Sequence, residues 1–284
     1  MTQLDRRRIA ARPDLAAESL RGVVTAARFA PGVTRRVIAT ATPLRPEPDP
    51  STGIDTEAIY GETVLVYEER EGWAWGQLAG DGYVGWLSSN DLAPPLTPTH
   101  RVGALRTFIY PTPSIKKPPL MALTFGSTVA VRGAEGSFLA LAEGGFVFAP
   151  HLTPLDTLEN DPVAVAERFL GVPYLWGGKT SLGLDCSGLV QTAMQACGIP
   201  CPRDSDMQAG ELGVIVDAGP DWRDVRRGDL LFWKGHVAFV EDRGHILHAS
   251  GAPMSVVRED LAAALARIGA EAGDPIVCRA LTPR

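Results

Sequence analysis

The chain has 284 residues, 45% hydrophobic and 21% charged, and its 27 Lys and Arg against 33 Asp and Glu give a formal net charge of −6. That length predicts two or three domains, each able to bury a core, and the acidic balance disfavours nucleic acid or an anionic membrane as partner. Four cysteines make no disulfide framework in a chain of this size and fit a reducing compartment better.

The start, MTQLDRRRIAARPDLAAESLRG, has basic residues with no apolar run behind them, and no 18-residue apolar stretch occurs anywhere. A soluble, cytoplasmic protein is therefore expected. Residues 1–33 form an N-terminal segment to which the sequence assigns no role. Proline-rich punctuation follows at 42–53, 92–100, 110–119 and 152–162. Between these breaks, residues 54–150 carry short alternating runs such as ETVLVYEE and WAWGQLAG with glycine at the turns, the pattern of strands and hairpins.

This region repeats itself. Residues 58–92 can be laid over 122–152, matching Gly61 to Gly126, Val66 to Val131, Gly72 to Gly136 and, after small gaps, Tyr83 to Phe146. Two related β modules are expected, at 34–95 and 96–155. Where the first carries Glu62, Tyr83 and Trp86, the alignment gives the second Ser127, Phe146 and Ala149, so a ligand-contacting role falls to the first.

From residue 156 to 284 the texture changes to α+β. In NDPVAVAERFLG, Asp161 stands where an N-cap belongs, Pro162 at the first helical position and Gly171 past the end. The stretch GLDCSGLVQTAMQACGIP (183–200) reads as a second helix, with Leu189, Val190, Ala193, Met194 and Cys197 on one face and Gly198 and Pro200 as its stop. Cys186 then sits in the first turn. There the helix dipole favours an anion, so the thiol should lose its proton more readily than a free cysteine. A small buried hydrophobe is the competing reading of Cys186.

Three strand-like runs follow, DLLFW, HVAFVED and HILHAS. A nucleophilic cysteine needs a base and a third group to orient it, and His236, opening the second run, is the candidate base. His245 and His248 lie three apart on one strand and point to opposite faces, and His248, between Leu247 and Ala249, is the inward one. A zinc site on Cys186, His236 and His248 is disfavoured because no close-spaced ligand pair supports it. Likewise Cys197 and Cys201, spaced C-x3-C, find no second pair. No metal or cofactor is expected.

The motifs YLWGG, LDCSGLVQ, PRDSDMQ, RGDLLFW, GHVAFV and HILHAS, in that order, resemble the NlpC-type cysteine endopeptidases, a papain-related family, over residues 160–284. The segment ending DGYVGWLSSNDL resembles bacterial SH3-like domains. The fold implied is a papain-like α+β catalytic domain preceded by two small SH3-like β-barrels, an arrangement similar to the γ-D-glutamyl-L-diamino acid endopeptidases. The resemblance implies Cys186 as nucleophile, His236 as base, His248 as the orienting residue and Tyr174 near the oxyanion. It also implies a subsite formed by Asp185, Ser187, Asp204 and Ser205 with Trp176 beside it, closed by Glu62 and Tyr83 of the first module.

For Tyr174 and Trp176 the alternative is aromatic core packing. For Asp204 and Ser205 it is the N-cap of the next helix. Carboxylates at the subsite call for an ammonium partner, hence an expected substrate of free murein peptides with an unblocked N-terminal L-Ala, met during cell-wall recycling. Rival readings are a Cys-His amidase or acyltransferase on another amide, and a cell-wall binding protein.

Overall fold

The computed structural model describes residues 5–222 and 224–281. Positions 1–4, 223 and 282–284, the extreme ends of the expected N-terminal segment and catalytic domain among them, lie outside the described residues. The chain divides into two units, Met1–Thr157 and Leu158–Arg284. Among the described residues no helix is long and apolar enough to cross a membrane.

In the first unit, Val33–Val37, Thr63–Arg70, Trp73–Leu78, Val84–Ser88 and Leu92–Ala93 form a five-stranded antiparallel sheet, joined by a two-stranded ribbon of Ala41–Leu44 and Thr56–Ile59. The alternating runs turn Val37, Leu44, Ala58, Val64, Val66, Ala74, Leu78, Tyr83 and Leu87 into one core. The barrel's second face is covered by the N-terminal segment. Ala10, Leu15 and Ala17 pack there on Tyr67, Trp75, Val84 and Trp86. Arg12 caps the cluster, its guanidinium 4.2 Å from the Trp75 ring centroid and 2.6 Å from the Glu68 carboxylate.

The same strand sequence recurs from His100 to Pro154, including a one-turn 3-10 helix before the last strand, Ser89–Asp91 in one copy and Ala149–His151 in the other. Its core is Val102, Ile109, Leu123, Val129, Leu141, Val147 and Leu152, with Tyr60 of the first copy. Gly61 and Gly126 both take positive φ, 88° and 82°, and each donates to the equivalent strand end, Val37 or Val102, at 2.9 Å. This register pairs Glu62 with Ser127. Further on, the bridges Arg45–Trp86 and Tyr110–Phe146 are equivalent, and each is followed three residues later by the 3-10 helix. Phe146 is thus the counterpart of Trp86 rather than of Tyr83, and the sequence alignment is three residues out of step there because the turn lengths before it differ.

In the second unit an antiparallel sheet of six strands runs in the order Val214–Ile215, Val277–Ala280, Leu230–Trp233, His236–Val240, His245–Ser250, Ser255–Asp260. Helix α1 (Pro162–Glu167) starts as the sequence implies, the Asp161 carboxylate accepting from the Val163 N–H, but ends four residues before Gly171. Helix α2 (Cys186–Ala196) is buried on nearly every side, only Gln195 being half-exposed, so it is a central helix rather than an amphipathic one. Helix α3 (Ser205–Glu211) follows, and α4 (Leu261–Ala272) lays Leu261, Ala264 and Ile268 on Leu231, Trp233, Ala238, Val240 and Ile246 of the sheet.

Candidate active site

Cys186 is the first residue of α2, and the helix start is held by its N-cap, Asp185. One Asp185 oxygen accepts from the Gly188 N–H at 2.7 Å and the other from the Gly177 N–H at 2.9 Å. Arg203 reaches both oxygens, Nη1 to Oδ1 at 2.9 Å and Nη2 to Oδ2 at 2.8 Å, with its side chain fully buried. This bidentate pair also gathers Ser187, whose hydroxyl accepts from Arg203 at 2.9 Å and donates to Asp185 at 3.2 Å. Gln208 ties α3 to the same turn, donating to the Ser187 carbonyl at 3.0 Å.

The thiol is nearly closed off, Cys186 being 6% exposed, and its sulfur receives the backbone N–H groups of Val237 and Ser187. Val237 is the neighbour of His236, so the thiol sits against the first step of the His236–Val240 strand. Burial, reinforced by the Asp185 charge, pushes the thiol up to about 12 against those N–H groups and Arg203. The sequence predicts the opposite direction from the helix dipole. Desolvation wins because the thiolate would lose its water for only two N–H groups.

His236 and His248 are hydrogen-bonded, Nε2 to Nδ1, at 2.7 Å. Burial lowers both histidines, His236 to about 3 with the neighbouring His248 adding to the effect, and His248 to about 4 against the pull of Glu259. Both are neutral at rest. His248 is 1% exposed, whereas His245 turns outward to Asp242 at 3.0 Å, as the opposite-face argument requires.

Tyr174 is half-buried and pinned by its backbone, its N–H donating to the Met254 carbonyl at 2.9 Å and its chain bridging Leu184. Burial, with Cys186 and Asp185 close by, keeps its hydroxyl protonated well above the usual phenol range. Trp176 is 70% exposed and so is not core packing. Asp204 stands at the N-cap position of α3 without a side-chain cap bond, and Ser205 is its first residue, both half-buried.

The two remaining expected residues belong to the first unit. Glu62 is half-buried and its carboxylate accepts the Ile59 N–H at 2.8 Å, while Tyr83 is 3% exposed within the barrel core. Among the described residues no cluster of three His, Cys, Asp or Glu is arranged to hold a metal ion. Arg203, Gln208, Glu259 and Arg267 escaped the sequence reading. Arg203 stands inside the quoted PRDSD, but nothing in the spacing links it to an aspartate 18 residues earlier.

A thiol at the start of a central helix, set against a histidine-bearing antiparallel sheet, is the layout of a papain-like cysteine peptidase. The chain belongs to the NlpC/P60 family: that family's model matches residues 171–265, and the model of a bacterial dipeptidyl-peptidase SH3 domain matches 44–92. Similar proteins include a γ-D-glutamyl-L-lysine dipeptidyl-peptidase of Bacillus subtilis, 30% identical over 69% of this chain and 68% of that one. Dipeptidyl-peptidase 6 of Lysinibacillus sphaericus is 28% identical over 82% and 97%. A γ-DL-glutamyl hydrolase of B. subtilis is 54% identical over 33% of this chain and 24% of its own. In structure, the chain resembles an NlpC/P60 family protein from Bacillus cereus with a TM-score of 0.73, covering 88% of this chain and 100% of that one at 21% identity, a likeness of fold.

Proposed function

We propose that the protein hydrolyses the bond between γ-D-glutamate and a diamino acid in free murein peptides with an unblocked N-terminal L-Ala, as in cell-wall peptide recycling, with Cys186 as nucleophile, His236 as base and His248 orienting the base. The observation that carries the reading is the shielded thiol of Cys186 against the His236–Val237 step, backed by the His236–His248 hydrogen bond. With both groups neutral at rest, the thiol proton passes to His236 as the sulfur attacks the amide carbonyl. The imidazolium then protonates the departing amine. Water, losing a proton to His236, cleaves the thioester and restores the thiol. Tyr174, protonated and close to Cys186, serves as a donor to the developing oxyanion, with the N–H groups of the first turn of α2.

Two of the similar proteins are named for a γ-glutamyl amide, which supports a γ-glutamyl acyl side here. Since Arg203 already matches the charge of Asp185, we assign these two, with Ser187, to holding the nucleophile's turn. Recognition of the ammonium group then passes to Asp204 and Ser205 at the start of α3, tied to that turn through Gln208. Trp176 offers an exposed ring to the peptide, and the buried Tyr83 supports the module from its core.

The test is incubation with L-Ala-γ-D-Glu-diaminopimelate, its lysine counterpart and their N-acetyl forms, read by mass spectrometry. Free diamino acid should appear from the unblocked peptides. Acetylation removes charge-assisted hydrogen bonds of ~1.5–3 kcal/mol each, so the blocked forms should react on the order of a hundredfold more slowly. Asp204→Asn should narrow that difference. Equal cleavage of blocked and free peptides contradicts the N-terminal requirement, and no cleavage of either contradicts the substrate assignment. The 54% likeness to a γ-DL-glutamyl hydrolase favours, as a second reading, another γ-glutamyl amide, for which γ-linked glutamate oligomers are the probe.

A further inference from the structure

The hydrogen-bonded chain behind the thiol does not stop at His248. Its Nε2 lies 3.0 Å from Glu259 Oε2. Glu259 is held in turn by Arg267, Nε to Oε1 at 2.9 Å and Nη2 to Oε2 at 2.6 Å. The backbone sets this up: Glu259 pairs with Ile246 and Val257 with His248, so the carboxylate lies diagonally across from the imidazole on one face of two adjacent strands. Asp260 then caps α4, accepting from the Ala263 N–H at 2.8 Å, and Arg267 reaches back from the helix interior.

We propose that Glu259 is a positioning residue that fixes the tautomers of both histidines, and so presents an unprotonated His236 nitrogen to Cys186, with Arg267 holding the carboxylate in place. This rests on the assignment of Cys186 and His236 as nucleophile and base. An ionised carboxylate only accepts, so the proton of neutral His248 must be on Nε2 and its Nδ1 must be bare. The 2.7 Å contact between the histidines then has one possible donor, His236 Nε2–H, and His236 Nδ1 is left as the acceptor. Arg267 keeps Glu259 well below the usual carboxylate range, so it accepts throughout the neutral pH window. Without the carboxylate, the pair has a second arrangement of similar energy: His248 Nδ1–H donates to His236 Nε2, and His236 turns an N–H toward the thiol. That arrangement has no base.

Long-range proton–nitrogen spectra of the imidazole rings in the full-length protein read the tautomers directly. In the unsubstituted protein at pH 7, His236 and His248 should both be neutral Nε2–H tautomers. In Glu259→Gln, whose amide can donate as well as accept, part of the population should move to Nδ1–H. At the same time kcat/KM for the unblocked peptide should fall roughly ten- to a hundredfold with KM little changed. Arg267→Lys should keep the native tautomers. An Nδ1–H tautomer of His248 in the unsubstituted protein overturns the proposal, whatever the variants do. Native tautomers in Glu259→Gln with kcat/KM within twofold also overturn it, leaving Glu259 a tie between sheet and α4. The spectra need no substrate, so failure of the substrate assignment shows as an uncleaved peptide with unchanged tautomers.

Discussion

Asp185 shows how one side chain can be legible in its position while its partners are not. Next to Cys186 its carboxylate reads from the sequence as part of a subsite, and in the fold its oxygens accept from Gly188, Gly177, Ser187 and Arg203. The charged partner, Arg203, comes from a different element, and pairings across elements leave no mark in local spacing. Removing one side of a buried pair leaves an uncompensated charge, at a cost of about 3–5 kcal/mol. Arg203→Met should therefore lower the unfolding free energy of the C-terminal unit, read from urea titrations, by that amount and reduce activity by disturbing the first turn of α2. Unchanged stability would mean that the pair is not the anchor described. The Cys186 thiol gives the same lesson in electrostatics: the dipole can be inferred from a helix start, whereas burial, which reverses the direction, depends on the whole fold around it.

At the scale of elements, the helix starts at Asp161 and Asp185 were readable because caps are local, and the repeat was readable because Gly61 and Gly126 mark the same positive-φ turn. The helix at Leu261–Ala272 was not read, although Asp260, the spacing of Leu261, Ala264 and Ile268, and Gly273 carry its signature. With it went the Glu259–Arg267 pair. Close approach is a further element-scale feature without a sequence signal. A Cβ on Gly188 would lie 2.2 Å from the Gly178 carbonyl oxygen, so only glycine lets α2 pack on the loop that carries Tyr174. Gly188→Ala should cost about 1–3 kcal/mol and lower kcat/KM at least tenfold by displacing the nucleophile's turn. Gly210→Ala, in α3 with nothing near the added methyl, should be neutral or gain up to about 1 kcal/mol. Thermal melts and kinetics of the two variants check the contrast, and equal effects would contradict it.

For the whole molecule, the expectation of SH3-like modules before a papain-like domain followed from motif order and from the repeat, whereas Arg12 and Ala10 packing over the first barrel's aromatic face did not, since MTQLDRRRIAARPDL has no pattern of its own. The C-terminal unit buries two neutral histidines, and that gives its stability a direction with pH. Both have folded values below the ordinary 6.5, so the unfolded chain binds more protons as pH falls through that value, and stability is lost on the acid side. The slope should approach about 1.4 kcal/mol per pH unit for each histidine between pH 6 and 4.5. The lowered carboxyls of Asp161 and Glu259 act in the same sense at lower pH. Urea midpoints across this range check the sign, and stability that rises toward pH 5 would contradict it.

The central claim, that Cys186 attacks a γ-D-glutamyl amide with His236 as its base, is tested most directly by the mass of the protein quenched in acid during turnover of L-Ala-γ-D-Glu-diaminopimelate. A thioester of the L-Ala-γ-D-Glu group on Cys186 is predicted in the unsubstituted protein, with neither adduct nor product in Cys186→Ala. Product released at an undiminished rate by Cys186→Ala would contradict the account.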